Sequence, residues 1–390
     1  MTQTEKNLIN AVLASVTDGV FSSCENPEAL VKLAKYHSVE NLVAEVLSES
    51  SILPAEVSKE LTEMQSLLIV KDANQELEVN NLINLFEENR ISVIMLKGWL
   101  MKNLYPRTDM RSMADTDIFI KESDQQTVHN IIKNQGYSVV SYGGKKDNVY
   151  VKKPFSTLEM HKNLFMYEDN WNEIFNNENS ETFIWKRVKK ISGYEHIYQM
   201  DDELFFVYMI AHIAKHLLDD GGIGIRAMLD VWLFMKKTPN LNLDIVYKDL
   251  KKLNLCSFSD KVIELTEYWF DKKISASDTI EEFSDYILKC GVYGNSNNFV
   301  ATKEELICFE KPSKIKYVFR RAFPKIEDMK VRYPQLNKNI WLLPVLYIKR
   351  LWYSLIHRTD SIKKEINSAG EVDFTEVKRI HQLYKDIGLR

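Results

Sequence analysis

The stretch Arg111-Ser112-Met113-Ala114-Asp115-Thr116-Asp117-Ile118-Phe119-Ile120 constrains this chain more than any other. Thr116 to Ile120 reads as a strand. Alternation along it puts Asp115 and Asp117 on one face while Ile118 and Ile120 enter the core. Two carboxylates on one strand end repel each other and cost stability unless a cation sits between them. The expectation is a buried sheet strand with an acidic, cation-seeking end.

Its neighbours read as a small α/β unit. Ile91 to Leu96 is a short apolar run, a buried strand that enters a turn at Lys97-Gly98. A short helix from Trp99 to Leu104 stops before Pro106. Downstream, Ser123 looks like the N-cap of a helix through Asn134 that ends at Gly136. Tyr137 to Tyr142 is a third strand, Gly143 to Asn148 a hairpin-like turn, and Val149–Val151 and Thr157–His161 two more strands.

Helical periodicity lies on both sides. Leu8, Val12, Leu13 and Val16 recur at helical spacing, as do Leu30, Leu33 and Ala34, and Ala55 to Asn89 is a long stretch opened by Pro54. Beyond Asn170 strands are hard to find. Helical spacing returns at Leu204–Leu218, Gly224–Lys236, Leu243–Leu253, Phe258–Phe270 and from Lys314 onward. Glycine is scarce, 13 in 390 residues, which suits a helix-rich chain too long for one compact core. The expected class is α+β, a small mixed β-sheet core embedded in a mainly helical chain. Its regions would be 1–89 (helical), 90–170 (α/β core) and 171–390 (helical, completing a cleft).

Several function classes are disfavoured. A formal net charge of −4 argues against nucleic-acid binding by bulk charge. Four scattered cysteines without a C-x-x-C pair fit a reducing compartment, and neither a disulfide framework nor a thiolate zinc site. No signal-peptide pattern and no apolar run long enough to span a bilayer is found, so the expectation is a cytoplasmic protein without a transmembrane segment.

A third carboxylate stands where a cation site would want one. In Ser156-Thr157-Leu158-Glu159-Met160-His161, the period of two puts Glu159 and His161 on one face, Leu158 and Met160 on the other. If that strand lies beside the acidic one, Asp115, Asp117 and Glu159 converge. Such hard oxygen ligands suit Mg2+ or Mn2+ bound with substrate phosphates, and can hold two ions about 3.5–4 Å apart. Gly98 would let backbone N–H groups approach a phosphate, and Lys97 and Arg111 would neutralise triphosphate oxygens.

Other features admit two readings. His212 and His216 share a helix face, either lining a cleft or packing against polar neighbours. Ile213, standing where a zinc H-E-x-x-H motif needs glutamate, speaks against a metal there. Arg226 and Asp230, also four apart, are either a structural ion pair or, for Arg226 with Lys215, a face toward a triphosphate. Gly221-Gly222-Ile223-Gly224 follows a helix and reads as a hinge. Residues 311–350 carry eleven basic side chains opposed only by Glu327 and Asp328. They would suit a polyanion or a membrane surface, or be basic helices covering a core.

Taken together, Leu96-Lys97-Gly98, Leu104-Tyr105-Pro106, Arg111, Asp115-x-Asp117-Ile118-Phe119-Ile120 and Glu159-x-His161 resemble the uncharacterised nucleotidyltransferase-like family of the DNA polymerase β superfamily. His212-x-x-x-His216, the glycine-rich break, Arg226, Asp230 and the late Phe323-Pro324, Tyr333-Pro334 and Trp341-Leu342-Leu343-Pro344 extend the resemblance over most of residues 90–355. Lys97-Gly98-Trp99 departs from the usual Gly-Ser pair of the phosphate loop. With Arg111-Ser112-x-x-Asp115 it also resembles nucleotidyltransferase toxins of toxin–antitoxin systems.

The resemblance implies a small mixed sheet flanked by helices, and Mg2+-dependent transfer of a nucleotidyl group from an NTP to an acceptor with release of pyrophosphate. Asp115, Asp117 and Glu159 would ligate Mg2+ or Mn2+, with Glu159 also the acceptor-side base. Lys97, Gly98, Arg111, Ser112, His161, His212, Lys215, His216, Arg226 and Asp230 would line the nucleotide cleft. The acceptor would be a small molecule, peptide or protein. The alternatives are a toxin acting on an RNA end and a catalytically silent nucleotide-binding protein.

Overall fold

The computed structural model describes residues 1–21, 24–48, 53–143, 147–162, 164, 180–271, 275–291, 319, 322–324, 326, 329, 333–337, 339–357 and 374–389. The N-terminal periodicity forms helices α1 (Gln3–Val16), α2 (Pro27–Tyr36), α3 (Glu40–Ser48) and α4 (Ala55–Glu88). Thr2 and Glu5 close a capping box on α1, and Asn26 caps α2 one residue before Pro27. Helix α4 serves two cores. Its first turns bury Val57 and Leu61 among the helices, and its last turns bury Val79, Leu82, Ile83 and Phe86 beneath the sheet.

The strands are β1 (Val93–Met95), β2 (Thr116–Ile120), β3 (Ser138–Ser141), β4 (Asn148–Lys152), β5 (Ser156–His161), β6 (Val188–Lys190) and β7 (Ile197–Met200). They form a mixed seven-stranded sheet in the order β3-β4-β5-β2-β1-β7-β6. The acidic strand β2 is therefore interior, antiparallel to β1 and parallel to β5. Ile118 and Ile120, with Leu158 and Met160 of β5, pack on α4 and on Val128 and Ile132 of α6 (Gln125–Asn134). Phe119 and Ile94 turn the other way into the helical core.

That second core joins α1 to α3 with α7 (Ser180–Trp185), α8 (Asp202–Asp219), α9 (Ile225–Lys237) and the helices after them. The class is thus α+β, a mixed sheet within a mainly helical chain. Periodicity placed α8, α9, Leu243–Lys252 and Cys256–Phe270 to within two residues.

Three expectations are corrected. The short helix α5 runs Lys97–Lys102, so Lys97 and Gly98 lie in its first turn rather than in a turn before it. Ser123 does not cap α6. It sits in a 3-10 turn, Glu122–Asp124, and its hydroxyl donates to Asp124 at 3.2 Å. Strands do occur beyond Asn170, since β7 pairs parallel to β1 and β6 antiparallel to β7. Of the hairpin turn at Gly143–Asn148, residues 144–146 lie outside the described residues.

So do Lys311, Lys314, Lys316, Arg320, Arg321, Lys325, Lys330, Arg332 and Lys338 of the basic segment, and much of the helical stretch expected from Lys314. Its described part includes the helix Leu343–His357 with an exposed Lys349, and Arg350 donates to the Ala322 carbonyl at 3.0 Å. Among the described residues no helix is long and apolar enough to cross a membrane.

Phe119, 1% exposed, is the residue that fastens the acidic strand to the helical core. Phe119→Ala is expected to lower stability by about 3–5 kcal/mol in urea unfolding. A loss below about 1 kcal/mol would mean that this face of β2 is not held by the helices.

Candidate active site

Parallel pairing of β2 with β5 sets Asp117 opposite Glu159 and Phe119 opposite His161. Side chains directly across a sheet share a face. Asp117, Glu159 and His161 therefore project together above the helical side of the sheet, with Asp115 just before the strand. The sequence expectation that the two acidic segments are neighbours holds.

His161 lies between carboxylates. Its Nε2 is 2.8 Å from Asp117 Oδ1 and 4.0 Å from Glu159 Oε2, and its Nδ1 is 3.1 Å from Asp147 Oδ2. Burial alone would lower the imidazole pKa, but the hydrogen bonds to Asp117 and Asp147 and their charges lift it to about 10. An imidazolium thus stands between two carboxylates in the metal-free protein. Burial works against the Asp117 and Asp147 carboxylates, yet His161 holds both below the usual range.

The remaining carboxylates lack such relief. Burial, and then the Asp117 charge, raises Asp115, which makes no hydrogen bond or ion pair with any described residue. Burial, followed by Asp115 and Asp117, pushes Glu159 up to about 7.

Opposite this acidic patch are cations. Burial pushes the Lys97 ammonium down to about 8, with Asp230 pulling the other way. A Cβ at Gly98 would lie 2.8 Å from Met113 Sδ, so a larger residue there would displace the methionine. Arg111 and Asp230, 4% and 2% exposed, form a two-pronged pair, Nε to Oδ1 at 2.9 Å and Nη2 to Oδ2 at 2.7 Å. Arg111 also donates to the Gly98 carbonyl at 3.2 Å, and the Tyr105 hydroxyl to Asp230 at 2.8 Å.

The i,i+4 ion pair between Arg226 and Asp230 is accordingly not the arrangement found. Asp230 is taken by Arg111 from a distant loop, and Arg226 donates to the Ser112 carbonyl at 2.7 Å. On α8, His212 and His216 bond each other through their Nε2 atoms at 2.8 Å, and His216 Nδ1 is 2.6 Å from Asp220 Oδ2. Burial, with Lys97 and His216 adding to it, keeps the His212 ring well below its ordinary pKa and hence neutral.

These groups surround one cavity of about 300 Å3. Every residue the sequence places at the metal site or the nucleotide cleft lines it: Asp115, Asp117, Glu159, Lys97, Gly98, Arg111, Ser112, His161, His212, Lys215, His216, Arg226 and Asp230. Asp147 and Tyr208 line it too, and sequence reasoning missed both. Asp147 sits in a polar turn whose composition signalled only chain reversal. Tyr208 stands inside an apolar helical run.

The walls thus pair hard oxygen donors with lysine and arginine, a constellation suited to a phosphate-rich ligand and a divalent cation. Residues 23–271 match a family described as uncharacterised nucleotidyltransferase, and the chain belongs to that family. No curated protein matches the chain.

Two measurements test this geometry. Arg111→Met should cost about 3–5 kcal/mol by leaving Asp230 buried and unpaired, and Arg111→Met with Asp230→Leu should recover most of that loss in chemical unfolding. An additive double variant would deny the pairing.

For Glu159, a folded pKa of about 7 against 4.5 ordinarily means that its contribution to stability is full below pH 4.5 and lost as pH rises through 7. In chelator, Glu159→Gln should melt with the wild type at acid pH and above it at pH near 8. An offset independent of pH would contradict the burial and repulsion described here.

Proposed function

We propose that this chain is a Mg2+- or Mn2+-dependent nucleotidyltransferase that moves a nucleotidyl group from an NTP to an acceptor hydroxyl or phosphate and releases pyrophosphate. The observation that carries the reading is the opposition, within one cavity, of Asp115, Asp117 and Glu159 to Lys97, Lys215 and Arg226. Family membership supports the class of reaction. The acceptor we favour is a small molecule, peptide or protein. The region 90–170 would be the catalytic core, with 171–390 completing the cleft, 1–89 an appended helical region, and the cytoplasm the working compartment.

The residues present fit a divalent cation. Asp115 and Glu159 are carboxylates raised above their ordinary pKa by burial and by neighbouring negative charge, and a hard cation would relieve that charge. Asp115, Asp117 and Glu159 would hold it. When bound, the ion supplies charge neutralisation at the phosphate oxygens.

The chain's own part is positioning. Lys97, Lys215 and Arg226 would take the triphosphate oxygens, with Arg111 fixing the α5 turn through the Gly98 carbonyl. The Arg226 contact with the Ser112 carbonyl holds its guanidinium over the loop that leads into Asp115. Glu159 would accept the proton of the attacking acceptor hydroxyl at the carboxylate oxygen not engaged with the cation. Most of the rate would come from orientation and charge balance, without a covalent enzyme intermediate.

The test is thermal unfolding with ATP, CTP, GTP and UTP, each with and without Mg2+, on wild type and Asp117→Asn. A ligand at about one hundred times its Kd stabilises the fold by about 2.7 kcal/mol. A metal-dependent midpoint rise with at least one NTP, lost in Asp117→Asn while the unliganded variant stays folded, is expected. Stabilisation that survives in the variant, or none with any NTP, would contradict the proposal.

A further inference from the structure

His161 is placed unlike a cleft residue waiting for a nucleotide. It ends β5, and register puts it beside Phe119 on the face that carries Asp117 and Glu159. Its outer nitrogen, Nδ1, meets Asp147 Oδ2 at 3.1 Å. Its inner nitrogen, Nε2, points at Asp117 Oδ1 at 2.8 Å, with Glu159 Oε2 at 4.0 Å. One ligand atom from each of Asp117, Glu159 and His161 lies within 4.8 Å of the others. Asp147 is itself held, since its Oδ1 accepts the Lys162 backbone N–H at 3.4 Å.

That is the order of parts in a metal-ligating histidine. The inner nitrogen faces the ion, and the outer N–H donates to a carboxylate that fixes tautomer and ring plane. We propose that His161 is a nitrogen ligand of the cation taken by this site, oriented by Asp147, and that the site consequently prefers Mn2+ to Mg2+. The inference rests on the metal-dependent reading above and deepens it.

The chemistry follows from donor type. Mg2+ is served by oxygen alone and keeps its waters, whereas a set of two or three carboxylate oxygens and one imidazole nitrogen favours a first-row transition ion. On ion entry, Nε2 would exchange its contact with Asp117 for the metal, giving up its proton to solvent. Nδ1–H would stay on Asp147. Asp115, which lines the same cavity, remains an additional oxygen donor.

The probe is Mn2+ itself, followed by pulsed electron paramagnetic resonance on the full chain. Mn2+-loaded wild type should show nitrogen-14 modulation from a directly bound imidazole, a readout that needs no variant to fold and no turnover. His161→Gln, which offers an oxygen in its place, should lose the modulation. Its Mn2+ affinity should fall about tenfold while Mg2+ affinity changes much less. Asp147→Ala should weaken Mn2+ in the same direction.

Bound Mn2+ without nitrogen coupling, or coupling that persists in His161→Gln and so arises from another ring such as His212 or His216, would overturn this inference and leave the carboxylate site intact. Failure of the wild type to bind Mn2+ or Mg2+ at all would overturn the metal-dependent reading along with it.

Discussion

Everything at the centre of this protein is arranged around carboxylates that the sheet forces together. Parallel pairing of β2 with β5 fixes Asp117 beside Glu159, with Asp115 one step outside the strand. Such a group would push its strands apart were it not partly neutralised. His161, held on Asp117 and Asp147, neutralises part of it from within the chain. What it leaves unbalanced, on Asp115 and Glu159, is a negative patch that faces lysine and arginine across a cavity. A metal–triphosphate ligand has the charge distribution to complete that arrangement.

The rest of the structure keeps the two walls in place. Arg111, from the loop before β2, locks Asp230 of α9 and the Gly98 carbonyl of α5, so three separate segments meet at one buried pair. Tyr105 adds a further hydrogen bond to the same carboxylate. Phe119, two residues after Asp117, ties the acidic strand to the helical core. A buried ion pair of this kind contributes little net stability against an apolar replacement, so its value here is geometric. It fixes where the cations stand relative to the acids.

Much of this was legible in the residues because strands and helices have fixed periods. The alternation of Asp117, Ile118, Phe119 and Ile120, and of Leu158, Glu159, Met160 and His161, determined which side chains would meet, and they do. Helical spacing located α8 and α9 because their apolar faces are long. Strands β6 and β7 escaped because they are only three and four residues long, and β6 carries two lysines toward solvent. Their identity depends on pairing, β7 with β1 and β6 with β7, which periodicity cannot see. Asp147 was hidden for the same reason. Nothing local distinguishes a turn aspartate from one that orients a histidine on the neighbouring strand. The Arg226–Asp230 spacing misled because a helix-surface rule was applied to a carboxylate that is buried and claimed from elsewhere in the chain.

The central claim, that the transferred group is a nucleotidyl unit, is tested most directly by following the two ends of the donor. Wild type and Asp115→Asn would be incubated with each NTP labelled at the α- or the γ-phosphate, with divalent metal and a pool of candidate acceptors. The prediction is that α-label becomes attached to an acceptor and γ-label leaves as pyrophosphate, with both events abolished in Asp115→Asn. Transfer of the γ-label to the acceptor, or α-label transfer undiminished in the variant, would contradict it.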